Sequence, residues 1–448
     1  MNRSLNPPLQ WQPAVESYGD FIATRGRKLT LRAMLMVVAV WLSTIVLHEI
    51  DVGGAWLSLE NSTWLLIGVW LTCFAGSFWL SLSHYRASGL APVAPPPDTW
   101  WSKWVIVYSL VAAVGAALVI YDFAILRGYG FATSVVAIRA EEGTAMLKGF
   151  KQGSPISGLG RLMIPAMMIA FMMAASGWKR LDGRARFTLV ASSLLTLSEQ
   201  MLFEGGRFFI TALFVVVIVC YFLKPPAHTG PSGRNLPIKR IALAVVILMS
   251  FFAYVFVDRI LDRGDFFWSA YLGLSKDYDI YVDPETVNRF EGPFGGLWFS
   301  VCMLWLYATQ GFNELDNLLS VHYFNHAYGL YQVPHASNIA ALVFGVDLYY
   351  DLMANLPNVG TYYTFYGANY IDFGNVGALL SAIVLGFFTA RGVLGFTYGR
   401  WDTFSLIGPM FLVICFFTPA VSLVTNLWPA MFWAVLAGTG ARAFAART

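Results

Sequence analysis

Apolar runs of roughly 20 residues, the length that crosses a bilayer as a helix, recur along the chain between short polar stretches. They cover about 31–47, 63–83, 104–121, 159–177, 187–203, 207–223, 241–257, 375–391, 403–424 and 427–440, the last being the weakest. Two further apolar stretches, 295–308 and 337–346, are short and broken, and read as a pair of spans or as re-entrant or interfacial helices. Neither an internal repeat nor the inverted symmetry of many transporters is visible. The pattern predicts an all-α, polytopic integral membrane protein, one transmembrane domain over 1–448 with about 10–12 transmembrane helices. A long extracytoplasmic loop region, 258–374, is inserted between late helices, and long connections tend to carry function.

Composition agrees. Of 448 residues 57% are hydrophobic and only 12% charged, against about 25% charged in a soluble domain. The net charge of +3 is too small to argue for nucleic acid. Cys73, Cys220, Cys302 and Cys415 stand singly in apolar runs, without metal-ligand spacing, and read as packed hydrophobes. Arg25, Arg27, Lys28 and Arg32 follow a polar and aromatic start and precede the first apolar run. That order predicts a cytoplasmic tail and a first membrane helix rather than a cleaved signal.

Orientation follows from the loops. Arg86 and Lys103, then Lys179, Arg180, Arg184 and Arg186, then Lys224, Arg234, Lys239 and Arg240, and finally Arg391, Arg400, Arg442 and Arg447 fall on the side of the tail when the spans alternate. The positive-inside rule makes that side the cytoplasm and leaves both termini there. Arg161, Arg207, Arg259 and Arg263 break the rule, because they lie at span ends on the other side, where the loop 122–158 also carries Arg127, Arg139, Lys148 and Lys151. An anionic substrate handled on the outer face is the most economical reason for them.

Arg207 is the sharpest case. Glu204-Gly205-Gly206-Arg207 joins two apolar runs by a turn too short to leave the membrane surface. Arg207 then opens a helix, beside backbone N–H groups without intrahelical partners. A planar fork of donors there suits phosphate. The plainer alternative is an interfacial arginine paired with Glu204. Arg161 precedes a span that begins Leu162-Met163-Ile164-Pro165. Arg259 and Arg263 would share a helix face at i, i+4, with Asp258 and Asp262 beside them as neutralising partners. Arginines from several spans on one face would suit an anion the size of pyrophosphate.

His322, His326 and His335 cluster late. No third ligand accompanies the His322/His326 pair, so a metal site is not expected, and one of the three is a candidate general base. Glu49-Ile50-Asp51 and Asp277-Tyr278-Asp279 are acidic pairs of the kind that can hold a metal bridging phosphates, and equally read as solvated loops. Asn358, Thr361, Tyr366, Tyr370 and Asp372 lie in a stretch dense in aromatic and hydrogen-bonding side chains that leads into a span. Such a mixture suits sugar rings, although an interfacial belt accounts for Tyr362, Tyr363 and Tyr366.

Three places in the chain resemble the bacterial O-antigen or oligosaccharide repeat-unit polymerases: Arg161 with Ile164-Pro165-Ala166, Gly205-Gly206-Arg207, and Asn358-Val359-x-Thr361 followed by Tyr370-x-Asp372-Phe373-Gly374-x-x-Gly377. With the topology, the resemblance covers roughly 100–390. It implies an inverting, metal-independent membrane glycosyltransferase without cofactors, in the bacterial inner membrane, working on the periplasmic face. Such an enzyme moves a growing glycan from undecaprenyl pyrophosphate onto another carrier-linked repeat unit, in lipopolysaccharide or exopolysaccharide biosynthesis. Arg161, Arg207 and Arg259 would bind the pyrophosphate and stabilise it as leaving group. His335, His326, Glu204 and Asp372 are candidates for the proton acceptor, and Arg263, Arg139, His326, Asn358, Thr361, Tyr366, Tyr370 and Asp372 for substrate binding. Partners would be the lipid-linked oligosaccharide, membrane lipid and a candidate chain-length regulator protein, with no nucleic acid. Three other readings compete: an O-antigen ligase; a glycosyltransferase using a polyprenyl-monophosphate sugar, for which Glu49 and Asp51 hold the expected place; and a polysaccharide or lipid transporter, for which Glu199 inside a span speaks.

Overall fold

The computed structural model describes residues 15–52, 58–84, 98–129, 155–200, 207–223, 283–321, 326–333, 363–400 and 402–445, together with 271 and 356. Among them all regular structure is helical. The main helices are α1 (Val15–Ile50), α2 (Asn61–His84), α3 (Asp98–Tyr121), α4 (Pro155–Met163), α5 (Ala166–Gly177), α6 (Gly183–Glu199), α7 (Arg207–Phe222), α8 (Gly295–Ser320), α9 (Phe365–Thr397), α10 (Thr403–Phe417) and α11 (Val424–Ala445). Five stretches are long and apolar enough to cross a membrane: Gly26–Ile50, Asn61–His84, Asp98–Leu126, Ile156–Arg180 and Phe365–Thr397. Phe209–Phe222, Thr403–Phe417 and Leu427–Gly440 are shorter apolar helices. The expected span 241–257 and the stretch 337–346 lie outside the described residues.

Basic residues gather at one end of the bundle. Gly26 packs on Thr397 and Tyr398, Gly438 on Thr403, Gly440 faces Trp104, and Gly177 lies on Trp101. The Arg180 guanidinium is 5.7 Å from the Trp101 ring. These contacts bring Arg27, Lys28, Lys103, Lys179 and Arg180 together at the same end as Arg400, which we term the basic end. Helices entering the bundle there are capped by aspartates. Asp182 Oδ1 accepts from the Ala185 amide at 2.7 Å, and Asp402 Oδ1 from the Ser405 amide at 2.9 Å, each cap contributing about 1 kcal/mol.

Lipid supplies no hydrophobic drive between helices, so close backbone approach does more of the work. A Cβ on Gly160 of α4 would lie 2.6 Å from the Gly115 carbonyl oxygen of α3. A Cβ on Gly408 of α10 would lie 2.1 Å from the Gly392 carbonyl carbon of α9. The expected span 159–177 is two helices, because Pro165 lacks an N–H and its ring crowds the carbonyl four residues back. At the break, the Trp433 indole of α11 donates to the Leu162 carbonyl at 2.8 Å.

Two elements at the opposite end depart from simple spans. The 295–308 stretch is part of α8, which meets the end of α1 and the start of α2 and also packs Phe312 on the Trp41 ring inside α1. Trp305 Nε1 donates to the Leu47 carbonyl at 2.7 Å, and Asp316 accepts from the Glu60 amide at 3.2 Å and from the Thr63 hydroxyl. Leu47 and Glu60 both sit at chain ends of their helices, whereas Trp305 and Asp316 are roughly 16 Å apart along α8.

The second departure is α9, which contains a residue with non-helical backbone, Gly374, at φ 67° and ψ −170°. Phe365 packs edge-on against Trp70 with ring centroids 6.1 Å apart, yet a Cβ on Gly386 would meet the carbonyl of Phe74, one turn along the same α2. A straight helix would separate residues 365 and 386 by roughly 31 Å. The 365–373 half therefore climbs from the depth of Trp70 to a hinge at Gly374, and 375–397 descends to the basic end. Residues 365–373 and 375–397 are thus two helical segments that meet at Gly374 and both run down beside α2, where the sequence suggests a span from 375 alone.

Candidate functional site

The end opposite the basic one carries the residues of interest in two groups. In the first, α3 finishes in a π-helical turn, Asp122–Leu126. Asp122 is buried, the Arg127 Nη2 lies 2.9 Å from its Oδ2, and the Arg127 guanidinium lies 4.4 Å over the Phe123 ring. Phe123, Ala116, Val119 and Ile164 form a small apolar cluster, and Phe209 packs against it. Ile164 follows Arg161 by three residues in the chain, and Phe209 follows Arg207 by two. Arg161 is half-buried on α4. Helix α7 starts at Arg207 with no acidic residue in its first turn, so the positive end of its dipole is not offset from within. Two arginine-bearing segments that are distant in sequence thus converge on one cluster. Glu199 closes α6 as a buried residue, and the Gln200 amide donates to its Oε2 at 2.8 Å.

The second group surrounds the Gly374 hinge. Residues 326–333 wrap the upper end of the half-helix. The Ala327 and Tyr328 amides donate to the Ile371 and Asp372 carbonyls at 3.0 and 2.9 Å, satisfying two of the acceptors that a helix end leaves open. The Asp372 carboxylate is fully buried. Its Oδ1 accepts from the Tyr331 amide at 3.0 Å and its Oδ2 from the Gln332 amide at 3.3 Å. The Gln332 side chain donates to Asn369 Oδ1 at 2.9 Å and accepts from the Ser422 hydroxyl at 3.0 Å. Irregular backbone at membrane depth is tolerated where protein satisfies its polar groups in this way.

His326 stands at the mouth of this arrangement. Its ring meets Tyr370 edge-on with centroids 6.2 Å apart, and its Nε2 is 2.9 Å from where a Cβ on Gly374 would sit. Its Nδ1 is buried without a hydrogen-bond partner. The Tyr366 hydroxyl donates to Asn375 Oδ1 at 2.6 Å across the hinge. Tyr366 and Asp372 therefore face protein rather than an open groove, and Tyr370 is nearly as buried. The interior network of Gln332, Asn369 and Ser422 was not legible in the sequence, where each is an isolated polar residue without periodic signal.

Arg139, Glu204, Arg259, Arg263, His322, His335, Asn358 and Thr361 lie outside the described residues, as do Asp277 and Asp279. Glu49 is exposed, 3.4 Å from His48 Nδ1, and Asp51 sits in a left-handed turn at φ 47°. No three His, Cys, Asp or Glu side chains group together among the described residues. No family model, curated protein or solved structure matches the chain.

Chemically, the first group offers cationic side chains and a helix N-terminus, suited to a phosphate-bearing leaving group. The second offers the His326 imidazole beside the Gly374 hinge, its Nδ1 without a hydrogen-bond partner among the described residues.

Proposed function

We propose that the protein is an inner-membrane polymerase of lipid-linked oligosaccharide repeat units, with the basic end in the cytoplasm and the site at the periplasmic end. The observation that carries this reading is the convergence of the Arg161 and Arg207 segments on the Phe123–Ile164–Phe209 cluster, away from the basic end. Positive charge placed there against the positive-inside rule suits an anionic ligand, and a membrane-anchored pyrophosphate would be one at that depth.

In this mechanism the acceptor hydroxyl oxygen attacks the anomeric carbon of the donor glycan from the face opposite the diphosphate. The new C–O bond forms as the bond to the diphosphate oxygen breaks, and the electron pair leaves on the undecaprenyl pyrophosphate. Arg161 and Arg207 stabilise the charge that develops on that leaving group. The hydroxyl proton passes to a nearby base. We assign this role to His326, whose ring lies at the Gly374 hinge.

The test is polymerisation of a purified lipid-pyrophosphate-linked repeat unit, read as a ladder on a gel. Wild type forms the ladder. Arg161→Ala and Arg207→Ala lose it while remaining folded by thermal unfolding. A ladder unchanged in both variants removes the assignment of the site. Transfer of a single unit to a lipid A-core acceptor without laddering would instead identify a ligase.

A further inference from the structure

We propose that Asp372 is a positioning residue: its carboxylate clamps residues 326–333 against the half-helix and so holds the His326 imidazole at the Gly374 hinge. The inference rests on the polymerase reading for its catalytic consequence, and on geometry for the clamp itself.

Burying a carboxylate completely is costly unless charge-assisted hydrogen bonds compensate it. Asp372 obtains those bonds from one short segment. The Tyr331 and Gln332 amides donate to its two oxygens at 3.0 and 3.3 Å. The segment must turn back on itself to present these donors together, and it does so through left-handed Tyr328 and Gly329, at φ 50° and 94°. With the carboxylate gone, the turn would keep the Ala327 and Tyr328 amides on the Ile371 and Asp372 carbonyls, its own Leu330–Ala327 and Val333–Gly329 backbone bonds, the Tyr331–Tyr363 ring contact and the Gln332 side chain.

The carboxylate-bound amides, Tyr331 and Gln332, follow His326 by five and six residues, and the Ala327 amide next to it is held by the Ile371 carbonyl, so the clamp acts on His326 through the turn between them. The Tyr370 ring and the bare Cα of Gly374 then define the slot that its ring occupies. Among the described residues Nδ1 has no hydrogen-bond partner, so the neighbours named above are what holds the ring there. Asp372 therefore acts on the acceptor's deprotonation through His326, without touching substrate.

The experiment uses the full chain in detergent with Asp372→Asn, His326→Ala and the double variant. Asparagine keeps the size of the side chain but presents one acceptor oxygen where the carboxylate presents two. The first readout needs no activity: diethylpyrocarbonate labelling of His326 followed by mass spectrometry, with exposed His84 as the internal standard. Wild-type His326 reacts more slowly than His84, and Asp372→Asn brings it several-fold closer to the His84 rate. An unchanged His326 rate in the variant overturns the clamp. The second readout is polymerisation. His326→Ala loses about 100-fold or more in kcat. Asp372→Asn loses about tenfold or more, on the scale of a displaced catalytic group, with an unchanged KM for the pyrophosphate donor. The double variant is no slower than His326→Ala, whereas losses that multiply would show an independent role and overturn the positioning assignment. Wild type that forms no polymer defeats the polymerase reading, and the labelling result then still decides the clamp. Should Asp372→Asn fail to fold, Gln332→Ala cuts the links to Asn369 and Ser422 and is expected to raise His326 labelling by a smaller factor; no rise there counts against the clamp.

Discussion

Replacing Gly374 by alanine tests the hinge, and its cost can be worked from two separate contributions. The first is backbone strain. At φ 67° and ψ −170° the residue occupies a region open essentially to glycine alone, and an alanine held there costs about 1–3 kcal/mol. The second is steric. The new Cβ would sit 2.9 Å from His326 Nε2 and 3.1 Å from its Cε1, inside van der Waals contact, so the ring must leave its slot or the hinge must open. Strain alone is enough to measure, since a change of 1–2 kcal/mol alters the folded-to-unfolded ratio about 5- to 30-fold. The assay is unfolding in mixed micelles followed by tryptophan fluorescence. The comparison is Gly76→Ala, because Gly76 lies inside helical α2 with nothing within 4 Å of its Cβ position, where alanine gains roughly 0.5–1 kcal/mol. Gly374→Ala is expected to be clearly less stable than wild type, and Gly76→Ala equal or more stable. A Gly374→Ala protein as stable as wild type would refute the left-handed hinge and the slot built on it.

Two other substitutions follow from packing. Gly408→Ala places a Cβ 2.1 Å from the Gly392 carbonyl carbon and 2.5 Å from the Val393 nitrogen; neither atom can rotate away, so the same unfolding assay should show a loss of about 1–3 kcal/mol. Trp41→Phe removes the 2.8 Å bond from its Nε1 to the Thr418 hydroxyl and keeps an aromatic ring against Trp70, so the expected loss is about 1 kcal/mol, and a far larger loss would mean that ring packing dominates.

Most of the helices were legible because a bilayer demands long apolar runs, and those runs are local in sequence. Asn61–His84 and Asp98–Leu126 lie where hydropathy puts them. Among the described residues Arg27, Lys28, Lys103, Lys179, Arg180 and Arg400 gather at one end. What hydropathy missed is non-local. The half-helix 365–373 carries Asn369 and Asp372, which look like loop residues until Gln332 and the Tyr331 amide neutralise their polarity from 37 and 41 positions away in the chain. Helix α8 was seen only in part, because the polar residues Gln310, Asn313 and Asp316 interrupt its apolar pattern. The break at Pro165 was present in the sequence as a proline inside an apolar run, a position that ends or kinks a helix. Of the site, the Arg161 and Arg207 segments were legible as exceptions to a charge rule. The role of Asp372 was not: in sequence it resembled a sugar contact, and in the fold its oxygens are occupied by backbone amides.

The most direct test of the account is whether purified wild-type protein, given an undecaprenyl-pyrophosphate-linked repeat unit in the presence of EDTA, releases undecaprenyl pyrophosphate and builds a ladder of polymer. The account predicts both products with chelator present. A ladder that appears only when Mg²⁺ or Mn²⁺ is restored would contradict it in favour of a metal-dependent glycosyltransferase, and a folded protein that gives no ladder under either condition would contradict the assignment as a polymerase.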